Sequence, residues 1–186
     1  MSETQKSKSR RNLLMVLGAF VLPIVLAKLA LTQNWLDYGV TNKGKLVESE
    51  LTLKDIGINN SELDNKWLIL YVLPDICNEQ CEQTLLSVNN TFIALGREMP
   101  KVRNVALYKS PLLEKQLSHL EPSKWSVILS PSNPHSLIQQ QKVLIVDPLG
   151  NIILEHQPPK LFEQQTLFGK NILADMKKLL KYSKIG

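Results

Sequence analysis

Cysteine and histidine are both scarce in this 186-residue chain, and the scarcity narrows its chemistry. The only cysteines are Cys77 and Cys81, and the histidines are His119, His135 and His156. There is no Gly-rich phosphate loop, no H-E-x-x-H and no assignable Ser-His-Asp order, so nucleotide and hydrolase chemistry are set aside. Internal repeats and low-complexity segments are absent, apart from the short run Gln139, Gln140, Gln141. Positive charge is in modest excess, +5, but Lys6, Lys8, Arg10 and Arg11 against Glu3 account for most of it. The rest is nearly balanced outside a basic last segment (Lys170, Lys177, Lys178, Lys181, Lys184), which reads as a solvated helix face. That distribution is no signature of nucleic-acid binding.

The basic cluster precedes an apolar run from Leu13 to Leu31 whose one charge is Lys28. About 20 apolar residues cross a bilayer core, so the run is long enough for one membrane helix. Lys28 lies near its far end and can extend to the interface, Trp35 and Tyr38 can anchor there, and Pro23 is tolerated as a kink. A cleaved signal peptide has a shorter apolar core and ends at small residues, whereas Ala27-Lys28-Leu29-Ala30 is a poor cleavage site. The reading is an uncleaved anchor. It divides the chain into a cytoplasmic basic tail (1–12), a transmembrane helix (13–32), a linker (33–43) and an external domain (44–186).

Within that domain, Lys45 to Val47 and Glu50 to Lys54 alternate like short strands, with turns at Gly44, Gly57, Asn59 and Asn60. Trp67 to Leu73 is an apolar run of buried-strand length, broken by Pro74 and Asp75. A helix is predicted from the cysteines to about Met99, a strand over Val102 to Leu107, and helical spacing over Pro111 to Leu120. Trp125 to Leu129 and Lys142 to Val146 read as strands separated by a Ser130–Pro134 loop. Asp147-Pro148-Leu149-Gly150-Asn151 is a tight turn, with proline pre-set for its second position and glycine free for positive φ. Asn151 to His156 returns as the hairpin partner, and Phe168 to Tyr182 closes the chain as a helix. Trp67, Trp125 and the leucine stripes are core candidates. This order predicts an α/β layer fold.

The chemistry sits in Lys66 to Gln83, KWLILYVLPDICNEQCEQ. A strand, a short break and a helix whose first turns carry a cysteine pair is the layout of a thiol site on a thioredoxin-like fold. Residues i and i+4 share a helix face, so Cys77 and Cys81 can close a disulfide, work as a redox pair, or hold one soft metal ion. Cys77, nearer the helix N-terminus, is the expected attacking thiol, because the unsatisfied N–H groups there favour an anion. Glu79 and Glu82 are a dipole-compatible helix start. His135, in a loop, is the candidate third metal ligand; His119 and His156 have no thiol or carboxylate cluster near them in sequence.

The strand, the C-x3-C pair and the later V-L-I-V-D-P-L-G-N hairpin, following a single anchor, resemble the SCO/SenC proteins, over roughly Gly44 to Ile185. The resemblance implies a thioredoxin-like domain with one N-terminal transmembrane helix, held in a bacterial inner membrane with its domain in the periplasm. It implies service in cytochrome c oxidase assembly, with oxidase subunits or other assembly factors as partners. In that family two cysteines and a histidine bind copper, and the cysteines also act in thiol–disulfide reduction. Cys77 and Cys81 match the cysteine positions. The family histidine does not carry over: its position, eight residues before Asp147, is Gln139, and His135 lies four residues earlier. The prolines of the family's C-P-x-x-C-P are also missing, and no proline precedes the Lys142 strand. The expected function is therefore Cu(I) delivery, thiol–disulfide reduction, or both, through Cys77 and Cys81. The alternative is a non-catalytic module that tethers or stabilises oxidase subunits.

Overall fold

The computed structural model describes residues 3–32, 42–47, 50–59, 63, 65–112, 114–118, 120–121 and 123–183. Contacts divide the chain into two compact units, Met1–Thr41 and Asn42–Gly186. The first contains one helix, α1 (Glu3–Thr32), with Pro23 inside it. Among the described residues no helix is long and apolar enough to cross a membrane. Leu13, Leu14, Ala30 and Leu31, which complete the apolar run, lie outside the residues whose side chains are described, as do Trp35 and Tyr38 entirely.

The second unit is a mixed sheet with two helices on one face. Its elements are β1 (Lys45–Leu46), β2 (Trp67–Val72), α2 (Glu79–Ala94), β3 (Val102–Tyr108), α3 (Glu114–Leu117), β4 (Trp125–Leu129), β5 (Lys142–Val146), β6 (Ile152–His156) and α4 (Gln165–Tyr182). The strand order is β1-β6-β5-β2-β3-β4. β2, β3 and β4 run parallel, whereas β5 lies antiparallel to β2 and β6 antiparallel to β5.

β2 is buried along its whole length because both of its faces are covered. Trp67, Ile69 and Tyr71 join a core with Leu85, Val88 and Phe92 of α2 and Phe168, Ile172 and Met176 of α4. Leu68, Leu70 and Val72 enter a second core on the opposite face, closed by Leu53, Ile56, Ile58, Leu63 and Ile138. A strand covered on both sides reads as a continuous apolar run rather than an alternating one. Each fully buried aliphatic side chain of this kind contributes about 1.5–3 kcal/mol.

Several sequence expectations shift. α2 ends at Ala94, not Met99: Gly96 takes φ +58, and a 3-10 turn follows over Gly96–Lys101. Among its described residues Pro111 to Leu120 forms only the four-residue α3, with Leu113 and His119 outside them. Leucine spacing there reflects Leu120 and Leu112 reaching the core, not a long helix. Glu50 to Lys54 is a turn that touches the sheet through one bridge, Thr52 to Asn151. The Asp147 turn forms as expected. Its carboxylate accepts from the Leu149 and Asn151 N–H groups at 2.9 and 2.8 Å, and Gly150 has φ 93.

A clasp fastens the start of this unit to its last helix. Asp175, 1% exposed, accepts hydrogen bonds from Lys43 N–H (2.9 Å to each oxygen) and from Gly44 N–H (2.8 Å). His156 Nε2 lies 3.2 Å from Asp175 Oδ2, off the line of a good hydrogen bond, and its ring meets Phe168 edge-on. Gly44 is required here, since a Cβ would fall 2.6 Å from His156 Nε2. Burial holds the His156 imidazole below its ordinary 6.5, with Asp175 opposing the shift. Unfolded chains therefore take up a proton below that pH that the folded domain resists. Stability is expected to fall as pH drops from 6.5, by at most about 1.4 kcal/mol per pH unit, and His156→Gln should flatten that slope in pH-dependent denaturant melts. Asp175→Asn should cost about 2 kcal/mol in the same assay at neutral pH.

Candidate functional site

The carboxyl end of β2 runs into Pro74–Asn78, and α2 begins there because Asn78 caps it. The Asn78 side-chain oxygen accepts from Cys81 N–H at 3.1 Å, and Glu79 and Glu82 occupy the first turn, where carboxylates favour the helix dipole. Cys77 precedes the cap and Cys81 is the third helical residue. They are joined as a disulfide with Cα atoms 5.2 Å apart. Of the three states open to the pair from sequence, the disulfide is the one the structure contains.

The two sulfurs differ in access. Cys81 is fully buried in the core beneath α2, whereas Cys77 is half-buried and flanked by Ile76, which is 83% exposed. A reacting thiol must enter through Cys77.

The surrounding polar groups hold the loop that carries it. Gln116, buried on α3, donates from Nε2 to the Cys77 carbonyl at 2.7 Å. Lys109, at the end of β3, pairs with Asp75 at 3.1 Å and donates to the Gln139 carbonyl at 2.8 Å. Position 139, where the family histidine was sought, is thus linked through Lys109 to the cysteine loop; the Gln139 amide itself turns to the Pro134 carbonyl. Gln80 Nε2 donates to the Pro159 carbonyl at 2.7 Å, fixing the start of α2 to the segment before α4.

A second polar group lies in the same core as Cys81. Tyr71, on β2, is fully buried, and Gln141 Nε2 donates to its hydroxyl. Burial pushes the Tyr71 phenol up to about 12, against hydrogen bonding by Gln141 and Thr84. Gln141 stands where proline was sought before β5, and among the described residues no peptide bond is cis.

His135 lies elsewhere. Its Nδ1 accepts from Leu137 N–H at 3.2 Å, and it shares a groove with Lys45, Val47, Leu51, Lys142 and Glu155. Val47, Leu51 and Leu137 pack against the second core, on the face of the sheet away from α2 and Cys81. Asp55 is close enough to feel the histidine: the Asp55 carboxyl is held below its usual range chiefly by the Thr52 hydroxyl and N–H, with His135 adding to the effect. The structure therefore does not gather His135 with Cys77 and Cys81. Among the described residues no three His, Cys, Asp or Glu side chains converge as a metal-holding group. Two sulfurs fit Cu(I), which accepts soft thiolate ligands, once the disulfide is reduced; they lack the imidazole that would support Cu(II).

Sequence reading missed Lys109, Gln116, Asn78 and Tyr71. Asn78 carried a legible signal, an Asx residue directly before an acidic first turn. The others contact the site across long sequence separations and carry no local motif.

A thioredoxin-like domain with a C-x3-C disulfide at the head of its first crossover helix is the class these features define. Residues 67–183 match the family model described as transmembrane-like, thioredoxin-like, C-terminal domain, and the chain belongs to that family. In structure it is similar to apo Sco1 from Thermus thermophilus, at 12% identity and TM-score 0.50, covering 76% of this chain and 99% of that one. At TM-score 0.48 it matches Arabidopsis thaliana ScoI with copper bound, with 11% identity over 73% of this chain and 98% of that one. The thioredoxin domain of a Bacteroides vulgatus thiol-disulfide oxidoreductase matches at TM-score 0.46 and 12% identity, over 73% and 94%. At such identities the likeness is one of fold. No curated protein matches the chain in sequence.

Removing the cap should loosen the turn that holds the buried sulfur. Asn78→Ala is expected to cost about 1 kcal/mol in chemical denaturation, and Asn78→Ser to restore most of it.

Proposed function

We propose that this protein is a membrane-anchored thiol–disulfide exchange factor of the bacterial inner membrane, acting on the periplasmic side in cytochrome c oxidase assembly. The observation that carries the reading is the asymmetry of the Cys77–Cys81 disulfide, one sulfur half-buried at the rim and the other sealed in the core. The anchor rests on the apolar run Leu13 to Leu31 behind Lys6, Lys8, Arg10 and Arg11. The oxidase role rests on the SCO/SenC resemblance of Trp67–Cys81 and Leu144–Asn151, as a branch without the family histidine.

In the reduced protein the Cys77 thiolate attacks one sulfur of a partner's disulfide. The partner's S–S bond breaks, a mixed disulfide forms, and the leaving sulfur takes up a proton. Cys81, after losing its proton, attacks Cys77 and releases the partner's second thiol, leaving the Cys77–Cys81 disulfide. Two electrons have passed to the partner. A copper-receiving subunit, whose thiols must be reduced before they bind metal, is the substrate this chemistry suits. Cu(I) is cargo in this reading, held by Cys77 and Cys81 alone.

Cys77→Ser should abolish exchange, and Cys81→Ser should accumulate the mixed disulfide with the partner, as read by non-reducing electrophoresis of trapped complexes. Oxidase copper loading that survives loss of both cysteines would sink the exchange reading and leave a tethering module. In an anaerobic titration of the reduced full chain, one equivalent of Cu(I) should bind. The Cys77→Ser/Cys81→Ser variant should lose it and His135→Ala should keep it; a loss with His135→Ala would return that histidine to the ligand set.

A further inference from the structure

The buried threonine Thr84 sits one turn beyond Cys81 and is 0% exposed. Its hydroxyl donates to the Gln80 carbonyl at 2.9 Å, a back-bond common for threonine inside helices. What is not common is that the same oxygen accepts from Gln165 Nε2 of α4 at 3.1 Å. The Gln80 carbonyl belongs to the peptide unit whose N–H is that of Cys81, and that N–H is taken by the Asn78 side chain. Both ends of the peptide that carries the buried sulfur are therefore held. One is held from within the cap; the other is held through a hydroxyl tied to a second helix.

We infer that Thr84 is a positioning residue for Cys81, coupling α4 to the 80–81 peptide so that the buried sulfur stays within bonding distance of Cys77 when the disulfide opens. The inference rests on the exchange reading above and adds to it how the second thiol is kept ready. A held Cys81 has a high effective concentration toward a mixed disulfide on Cys77, which favours ring closure and makes the reduced domain a stronger reductant. Freed from Thr84, the first turn of α2 samples more conformations and closure is less favoured.

The chain supplies its own control. Thr91, two turns further along α2, is likewise buried, donates to the Ser87 carbonyl at 2.8 Å and reaches the Gly169 carbonyl of α4 at 3.2 Å. It makes the same kind of bond at a distance from the cysteines.

The test is the equilibrium of the full-length protein with glutathione, in which two glutathione thiols reduce Cys77–Cys81 to two thiols and yield glutathione disulfide. Thr84→Val should shift that constant toward the reduced protein by about fivefold, the worth of one buried hydrogen bond, and Thr84→Ser should bring it back near the wild-type value. Thr91→Val should lower the melting temperature without moving the constant. Should Thr84→Val fail to fold, Gln165→Met removes the donor from the other end and is expected to move the constant in the same direction. A wild-type constant in Thr84→Val or Gln165→Met, with only stability lowered, overturns the positioning role while leaving exchange intact. A wild-type disulfide that never equilibrates with glutathione overturns the exchange reading and this inference with it.

Discussion

Everything in the second unit depends on covering β2 on both faces. Six consecutive buried side chains, Trp67 to Val72, leave no solvent-facing register, so the chain must supply two separate covers. Helices α2 and α4 make one, and Leu53, Ile56, Ile58 and Leu63 with the turn at Ile138 make the other. Because α2 follows β2 after only a short break, the cover that seals the strand also carries Cys81 into the core. Burial of one sulfur is thus a by-product of closing the sheet. The exposure of the other follows from its place before the Asn78 cap, outside the helix.

The same division sorts the polar residues. Those on the α2 side include two uncharged pairs, Gln141 with Tyr71 and Gln165 with Thr84. The charged pair Lys142–Glu155 and His135 lie with the second core. The cysteine loop carries its charge at the rim, where Asp75 pairs with Lys109 and where Glu79 and Glu82 open α2.

How much of this the sequence disclosed follows from the range of the forces involved. Trp125–Leu129 and Lys142–Val146 were legible to the residue, because short apolar runs between turn signals are local information. The Asp147-Pro148-Leu149-Gly150 turn was legible for the same reason. The end of α2 was not, since apolar spacing persists past Gly96 while the backbone there turns left-handed. α3 was overread because leucines that reach the core from irregular backbone mimic helical spacing. His135 was chosen by proximity in sequence to position 139, and only the register of β5 against β2 decides on which face that loop lies. Gln116 and Lys109 touch the cysteine loop from 39 residues away and from the end of another strand, with nothing local to mark them.

The Asp175 clasp also determines how the domain meets a pull. Tension entering at Asn42 arrives at the Lys43 and Gly44 amides before it reaches any strand. Next in line stands the two-residue pairing of β1 with β6. The carboxylate therefore works as a strain relief. A load from the N-terminal side is passed to α4 at its buried midpoint and bypasses the β2–α2 junction, so the cysteine loop keeps its geometry while the chain ahead of it is tugged.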